Sequence, residues 1–322
     1  MSNRIKILSI GAMDKRVDEA LAARYNVYRD DVLGLEQIIA AHGNEITGLV
    51  TRGRIRTTEA LIERLPKLEI ISNFGVGYDS VDVAAAAKRG VVVTNTPDVL
   101  NDEMADFTVG LMLATIRRFP QADRFVRSGQ WEAGEAFPLG ASLRGRKIGI
   151  AGMGRIGKVI ARRLEGFDIP VSVFMRRPSA DLRYLCHASL QSLAEAVDVL
   201  IVVLPGGAET KNIVDAKILE ALGPNGILIN VARGSVVDEE ALITALQTGK
   251  ILAAGLDVFA AEPHVPEALR QMENVVLLPH IGTATHYTRG LMAQLVIDNV
   301  ISWFDGKGPL TPVAETPVPA RT

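Results

Sequence analysis

Short runs of aliphatic and β-branched residues alternate with amphipathic helical segments along most of this chain. In the first hundred residues these apolar runs occupy 5–10, 46–50, 69–72 and 91–94, and helical patterns at 14–23, 57–65 and 83–88 separate several of them. Strands joined through helices are connected by crossovers, which favours parallel pairing. The pattern therefore predicts an α/β fold with a doubly wound parallel sheet.

A second series of the same kind begins at residue 147, after a break in the alternation. Two helical patterns, 101–116 and 121–126, follow each other without a strand, and a glycine-containing loop covers 128–143. Six apolar runs then recur, at 147–151, 171–175, 199–204, 227–230, 253–256 and 275–278. A chain of 322 residues exceeds one ordinary core, so two α/β domains are expected. Periodicity leaves open which domain the last helical pattern, 285–304, joins.

The glycines of the segment 152–157 have the spacing of a dinucleotide-binding turn. The apolar run 147–151 leads into it and a helical pattern leads out. Gly152 permits a tight turn, Gly154 allows the backbone to approach a pyrophosphate, and Gly157 allows close packing of helix on strand. A glycine-rich turn without ligand is the alternative, but the strand-to-helix context favours a nucleotide site that includes Arg155 and Ile156.

Two arginines, Arg176 and Arg177, end the second strand of this series, where an NAD enzyme usually has a carboxylate for the ribose hydroxyl. Guanidinium groups attract a 2′-phosphate through charge-assisted hydrogen bonds. This favours NADP (NADPH) over NAD, with two ordinary surface charges as the alternative.

Three reactive side chains follow late strands of the second series, namely Arg233, Glu262 and His280. Open α/β sheets bind ligands at the carboxyl ends of their strands. Histidine can exchange a proton near neutral pH, a carboxylate can orient it, and arginine can grip a substrate carboxylate. The set predicts acid–base chemistry on a keto or hydroxy acid, although each residue alone could be an ordinary loop residue.

At these motifs the chain resembles the D-isomer-specific 2-hydroxyacid dehydrogenase family. The similar segments span almost the whole length and include 73–79, 96–100, 152–157, 231–234, 255–263 and 279–282. The resemblance implies a catalytic triad of Arg233, Glu262 and His280. It implies that the backbone of Val76 and Gly77 holds the substrate carboxylate, while Arg52 lines the substrate end or is a solvated loop charge. It also implies that Asp257 holds the nicotinamide carboxamide. The remaining cofactor contacts that it implies are Thr108, Leu204, Pro205, Thr210, Val231 and Gly282.

The resemblance further implies a flavodoxin-like substrate domain made of 1–98 and 287–322. A Rossmann cofactor domain, 99–286, is inserted in it, with a cleft between the two and a homodimer as the assembly. Within the family the chain is most similar to NADPH-dependent glyoxylate/hydroxypyruvate reductases. The alternatives are an aromatic keto-acid or phosphoglycerate dehydrogenase and a nucleotide-sensing, corepressor-like binding protein. Trp131 and Phe137 could reach a partner's site or only pack in a dimer.

Composition excludes several other classes. The net charge of −2 does not favour a nucleic-acid partner, but a local basic site for a small anionic 2-keto acid remains possible. No apolar stretch approaches the roughly 20 residues of a membrane span, and no signal-peptide pattern is present. The single cysteine, Cys186, forms no internal disulfide. We therefore expect a cytoplasmic protein, without a metal, because no ligand set has metal-binding spacing.

Overall fold

The structure is a computed structural model that describes residues 5–53, 55–176 and 183–316. Its contacts divide the chain into two compact units. The first unit combines Met1–Leu100 with Thr285–Thr322, and the second is Asn101–Ala284. The first unit is therefore discontinuous along the sequence.

The first unit is built on a five-stranded parallel sheet. Its strands are β1 (Lys6–Ser9), β2 (Asn26–Arg29), β3 (Ile46–Arg52), β4 (Ile70–Phe74) and β5 (Val92–Thr94). Its helices before residue 100 are α1 (Lys15–Arg24), α2 (Asp30–Leu33), α3 (Leu35–His42), α4 (Glu59–Glu63) and α5 (Val83–Lys88). The strand order β2-β1-β3-β4-β5 is that of flavodoxin-like sheets.

The sequence pattern predicted only four strands here, and the fifth, β2, is a correction. β2 lies at the sheet edge and all four of its residues are only half-buried. An edge strand needs little apolar character, because part of its surface stays in water. The strands inside the sheet are the opposite case: every residue of β4 is buried, and its first two residues, Ile70 and Ile71, lie in the run 69–72 that the sequence analysis detected.

The second unit has a seven-stranded parallel sheet. Its strands are β6 (Ile148–Ala151), β7 (Val171–Phe174), β8 (Leu185–His187), β9 (Val199–Val202), β10 (Ile227–Asn230), β11 (Ala253–Leu256) and β12 (Val275–Leu277). Its helices are α6 (Asn101–Arg117), α7 (Phe119–Arg127), α8 (Arg155–Leu164), α9 (Leu190–Ala196), α10 (Ala216–Leu222), α11 (Glu239–Gln247) and α12 (Glu267–Gln271). Two doubly wound α/β units are thus present, and the predicted fold class is confirmed.

In the strand order β12-β11-β10-β9-β6-β7-β8, the chain adds β6, β7 and β8 on one side and β9 to β12 on the other, so the order switches sides between β9 and β6. In open α/β sheets this switch point leaves a crevice at the carboxyl ends of the strands, where ligands bind. The glycine turn follows β6 directly, so it lies at the switch point. Arg233, Glu262 and His280 follow β10, β11 and β12, and therefore lie along the same edge.

The last helix, α13 (His286–Phe304), packs within the first unit. Thr285 caps it by accepting a hydrogen bond from the Thr288 N–H, and Trp303 Nε1 donates to Glu69 Oε2 at 3.0 Å. The segment after it runs along β5, where the Val313 N–H donates to the Val93 carbonyl at 2.9 Å. Within the described ranges no helix has the length and apolar character needed to cross a membrane.

Candidate active site

Two glycines of the turn after β6 are required by the packing of the unit itself. Gly152 has φ +111°, and a Cβ there would lie 2.8 Å from the Val203 carbonyl oxygen. A Cβ on Gly157 would lie only 2.0 Å from the Gly152 carbonyl oxygen. Gly152 therefore lets the turn lie close to the segment after β9, and Gly157 lets α8 lie close to the turn after β6, whether or not a ligand is bound.

Gly154 is different, because no contact among the described residues requires it to be glycine. A Cβ built there meets none of their atoms within 4 Å, and its φ of −73° suits any residue. Gly154 is exposed at the start of α8, and no side chain caps this helix. Arg155, exposed, and Ile156, half-buried, form the first turn. The open space over uncapped N–H groups fits a cofactor pyrophosphate, which needs close backbone approach.

Arg176 follows β7 and forms an ion pair with Glu209, which lies in the loop after β9. Both side chains are largely exposed. Because β6 lies between β7 and β9, this pair bridges the two loops that flank the glycine turn. A 2′-phosphate bound by Arg176 would compete with Glu209. Arg177, predicted to act with Arg176, lies outside the described residues.

The other residues expected to contact a cofactor lie in this same unit. Thr108 is fully buried in α6, and its Oγ1 donates to the Met104 carbonyl at 2.6 Å. Leu204 and Pro205 follow β9, and Thr210 Oγ1 donates to the Pro205 carbonyl at 2.6 Å. Val231 is buried directly after β10, where its N–H donates to the Val202 carbonyl.

His280 and Glu262 form a direct pair. His280 Nδ1 lies 2.9 Å from Glu262 Oε2 and 3.2 Å from Oε1. The histidine side chain is 32% exposed and the glutamate side chain 16% exposed, so the carboxylate is covered while part of the imidazole reaches solvent. Since the carboxylate engages Nδ1, Nε2 is the ring nitrogen available to a substrate.

Asp257 holds the turn that carries His280. Its two carboxylate oxygens accept hydrogen bonds from the N–H groups of Ile281, at 2.8 Å, and Gly282, at 3.0 Å. His280 itself has φ +58°, an uncommon conformation for a residue with a Cβ. Asp257 is 1% exposed, and this burial raises its pKa, although the two N–H groups partly offset the effect. The geometry thus gives Asp257 a positioning role, beside the carboxamide contact that the resemblance implied.

Arg233 lies in a turn that is fixed by Asn230. The Asn230 Nδ2 donates to the Arg233 carbonyl at 3.1 Å, and its Oδ1 accepts from the Ala232 N–H at 3.0 Å. The next residue, Gly234, packs so closely on the backbone of Phe259 that a Cβ would lie 1.9 Å from the Phe259 carbonyl carbon. The loop that carries Arg233 is thereby pressed against the segment that leads to Glu262.

In the first unit, the loop after β4 carries Val76 and Gly77. Asn73 Nδ2 donates to the carbonyls of Gly75, at 3.2 Å, and Gly77, at 3.1 Å. Asn95 Nδ2 donates to the Val76 carbonyl at 2.8 Å. Three successive carbonyls are thus held by two side-chain amides. In the described part of the chain, the N–H groups of Val76 and Gly77 have no protein acceptor, which suits an anion.

Arg52 ends β3 next to this loop. It is paired in register with Phe74 of β4, and its Nη1 donates to the Ala12 carbonyl at 2.7 Å. A Cβ on the following residue, Gly53, would lie 3.8 Å from the Gly77 carbonyl oxygen. Arg52 therefore adjoins the loop of Val76 and Gly77.

Comparison with known proteins identifies the family of this chain. Residues 109–282 match the model of the D-isomer specific 2-hydroxyacid dehydrogenase NAD binding domain. The chain belongs to this family. It is 43% identical over 310 residues to glyoxylate/hydroxypyruvate reductase A HPR2 of Arabidopsis thaliana, and the aligned region covers 96% of this chain and 99% of that protein. It is also 43% identical, with the same coverage, to the hydroxyphenylpyruvate reductase of Plectranthus scutellarioides.

Solved structures of family members superpose well on the chain. The NADPH-dependent glyoxylate/hydroxypyruvate reductase of Sinorhizobium meliloti, solved in complex with NADP and malonate, has a TM-score of 0.94 and 49% identity, covering 99% of each chain. The 2-hydroxyacid dehydrogenase of Ketogulonicigenium vulgare Y25 has a TM-score of 0.89 and 42% identity, covering 97% of this chain and 98% of the other. The recognised family and the two-unit α/β fold are confirmed.

Three carboxamides of this family member were missed by the sequence analysis as functional residues. Asn73, Asn95 and Asn230 each hold the backbone of a loop that carries a predicted site residue. Asn73 and Asn230 are also 0% and 1% exposed, which is unusual for this residue type. A weak signal was available, since both asparagines stand in or directly after an apolar run, where a buried amide needs a specific partner.

Proposed function

We propose that this chain reduces a small 2-keto acid of the glyoxylate/hydroxypyruvate type to the D-2-hydroxy acid with NADPH. The observation that carries the proposal is the His280–Glu262 pair, which lies on the same sheet edge as the glycine turn. A carbonyl reductase requires a proton donor near its dinucleotide site, and a carboxylate can orient that donor. Family membership and the similar reductases support it.

The reaction adds one hydride and one proton to the C2 carbonyl. When bound, the reduced nicotinamide supplies the hydride to the carbonyl carbon. His280 delivers the proton from Nε2 to the carbonyl oxygen as the C=O bond becomes a C–O bond, and solvent later restores the proton. Glu262 stabilises the positive imidazole and fixes its orientation through Nδ1. The products are the 2-hydroxy acid and the oxidised cofactor.

Arg233 and the N–H groups of Val76 and Gly77 bind the substrate carboxylate in this proposal. A guanidinium can form two parallel hydrogen bonds to a carboxylate and can also polarise the adjacent carbonyl. Asn230, Asn73 and Asn95 position these groups without touching the substrate.

The glycine turn and its neighbours bind the cofactor in this proposal. Gly152, Gly154, Gly157 and the first turn of α8 hold the pyrophosphate. The remaining proposed contacts are Thr108, Leu204, Pro205, Thr210, Val231, Asp257 and Gly282. A preference for NADPH is supported by the exposed side chain of Arg176 after β7 and by a second arginine, Arg177, at the next position in the sequence.

The cofactor preference has its own test. In Arg176→Ala we expect the Kd of NADPH to rise roughly ten- to hundred-fold, from the loss of charge-assisted hydrogen bonds, while the Kd of NADH changes little. Titration of cofactor fluorescence measures both values. Equal effects on NADPH and NADH would contradict a 2′-phosphate role for Arg176.

A homodimer, built on α7 and the segment after it, is also proposed. Trp131 is 69% exposed and Leu139 is 99% exposed, and Phe119 and Val126 of α7 are exposed as well. Large exposed apolar side chains grouped along one segment mark contact surfaces. We place the enzyme in the cytoplasm, in keeping with its one cysteine, Cys186.

The deciding experiment follows the loss of NADPH absorbance with glyoxylate, hydroxypyruvate, pyruvate and phenylpyruvate, and repeats it with NADH. His280→Ala and Arg233→Ala should each lose roughly 100- to 10,000-fold in kcat, with the Kd of NADPH preserved. Near-wild-type turnover in both variants would overturn the proposal. Cofactor binding without turnover of any keto acid would instead favour a nucleotide-sensing protein.

A further inference from the structure

The segment 310–316, which follows α13 in the first unit, packs beside the loop after β4. It runs antiparallel to the end of β5, where Pro312 forms a bridge with Thr94. Farther along the segment, the carboxylate of Glu315 accepts a hydrogen bond from the Tyr78 hydroxyl at 3.2 Å. Tyr78 belongs to the loop that is proposed to bind the substrate carboxylate, so the segment is bonded directly to that loop.

Asn299 of α13 fixes the start of this segment. Asn299 is 0% exposed, and its side-chain amide makes four hydrogen bonds. Its Oδ1 accepts from the N–H groups of Leu310, at 2.9 Å, and Thr311, at 3.0 Å. Its Nδ2 donates to the Leu295 carbonyl at 2.8 Å and to Thr311 Oγ1 at 2.9 Å. Because two N–H donors face Oδ1, the orientation of this amide is determined, and it holds the segment at one position.

Thr311 links this buried amide to Asn95. The Thr311 hydroxyl accepts from Asn299, and its own hydrogen is donated to the Asn95 carbonyl at 2.7 Å. The Asn95 N–H donates back to the Thr311 carbonyl at 3.3 Å. The side chain of Asn95 then donates to the Val76 carbonyl at 2.8 Å. A chain of hydrogen bonds therefore runs from α13 to the loop after β4.

The last bond of this chain sets the direction of an N–H group that the proposed function uses. The Val76 carbonyl and the Gly77 N–H belong to one peptide unit, which is trans. In a planar trans peptide the C=O and the N–H point in opposite directions. Because Asn95 holds the carbonyl, the Gly77 N–H points away from Asn95, and this orientation is fixed before a substrate binds.

We propose that Thr311 and Asn299 are positioning residues for the substrate and that, through Asn95, they aim the Gly77 N–H at its carboxylate. The inference rests on the proposed function. Neither Thr311 nor Asn299 touches the substrate or takes part in the transfer of hydride or proton. The carboxylate is bound alike in the substrate and in the transition state, because reduction occurs at the neighbouring carbon. A misdirected N–H should therefore raise KM and leave kcat nearly unchanged.

Thr311→Val tests the proposal, because it removes the hydroxyl and keeps the branched shape of the side chain. We expect KM for glyoxylate to rise roughly five- to thirty-fold, with kcat within about twofold of the wild type, from the loss of two hydrogen bonds. The Kd of NADPH should not change. Thr311→Ser retains the hydroxyl and should restore KM to within about twofold. Steady-state kinetics give KM and kcat, and cofactor fluorescence gives the Kd of NADPH.

Two comparisons separate this route from a general loosening of the unit. Thr47→Val is the matched control, since the Thr47 hydroxyl also donates to a backbone carbonyl, that of Lys6 at 3.3 Å. Thr47 lies near the amino end of β3, whereas the loop follows the carboxyl end of β4, so its replacement should leave KM unchanged. In an Asn95→Ala background, Thr311→Val should add little to the rise in KM, because the carboxamide through which Thr311 acts is gone.

The proposal is overturned if a folded Thr311→Val enzyme has the KM of the wild type, or if Thr311→Ser shows the same defect. It is also overturned if kcat or NADPH affinity falls as much as KM rises, or if Thr47→Val raises KM equally. A full additional rise in KM on the Asn95→Ala background would exclude the route through Asn95. Thr311→Ala removes the same hydroxyl and is judged by the same results if Thr311→Val does not fold.

Oxalate, a carboxylate without a reducible carbonyl, distinguishes a failure of this inference from a failure of the proposed function. Its Kd is measured by calorimetry in the presence of NADPH and should rise in Thr311→Val by the same factor as KM. An unchanged Kd for oxalate would overturn the role of Thr311. Absence of wild-type turnover of every 2-keto acid would instead contradict the proposed function itself.

Discussion

Removal of the Asn73 carboxamide tests whether the loop of Val76 and Gly77 must be held in place to bind substrate. In Asn73→Ala the carbonyls of Gly75 and Gly77 lose their 3.2 Å and 3.1 Å partners. A net hydrogen bond between neutral groups contributes about 1 kcal/mol, so about 2 kcal/mol of loop order is lost. If that order is restored only on substrate binding, KM for the keto acid should rise roughly 30-fold.

The effect should be confined to the substrate side. Asn73 lies in the first unit and the glycine turn lies in the second, so the Kd of NADPH should not change. Asn95 still holds the Val76 carbonyl, so the loop should loosen without unfolding. Asn73→Asp is a more severe variant of the same size, because a carboxylate would face the two carbonyl oxygens that the amide now serves.

The assay is steady-state reduction of glyoxylate by NADPH, with cofactor fluorescence and the thermal midpoint measured on the same samples. Gln294→Ala serves as the control, since Gln294 is an exposed amide of the same unit whose side chain bonds to Asp298 along its own helix. A folded Asn73→Ala enzyme with KM within twofold of the wild type would refute the reasoning. A parallel loss of NADPH affinity would show that the damage is not local.

Three further predictions concern other parts of the chain. Gly154→Ala should keep the wild-type Tm but weaken NADPH binding, whereas Gly157→Ala should lower the Tm because its Cβ would meet the backbone; wild-type NADPH affinity in Gly154→Ala would contradict this. Because burial raises the pKa of Asp257 above the ordinary 3.8, the folded state binds that proton more tightly than the unfolded state. The stability gained from binding this proton is complete below pH 3.8 and is lost as the pH rises through the raised pKa of Asp257. The Tm of the wild type, measured relative to that of Asp257→Asn, should therefore decrease over this pH range. A difference in Tm that stays constant with pH would contradict the prediction. Leu139→Asp should weaken self-association in sedimentation experiments, and a wild type that is monomeric at micromolar concentration would remove the basis for this expectation.

The fold could be predicted where strands are buried on both faces. All four residues of β6, β9 and β10 are buried, and their sequences are apolar apart from Asn230 at the end of β10. Edge strands gave weaker signals. β8 has only three residues, none of them buried, and was not predicted, for the same reason that β2 was missed.

The site could be predicted only where function constrains residue type within a short segment. The glycine turn and the residues after β10, β11 and β12 met that condition, because strand ends of one parallel sheet share an edge. The sequence could not show that Arg52 and Arg289 line one cavity, because that depends on where α13 packs. The amides of Asn73 and Asn95 bond to backbone carbonyls, whose positions follow from the loop path and leave no sequence pattern.

The discontinuity of the first unit has a consequence for the order in which a ribosome-bound chain can mature. The Val93 N–H finds its acceptor in Thr316, 223 residues later, and α13 supplies Arg289 to the same unit. The whole second unit is therefore synthesised before the first sheet can pack against α13 and against the segment that follows it. Until then part of the apolar surface of the early strands stays uncovered. Chaperones should therefore bind the protein at the stage of this nascent intermediate.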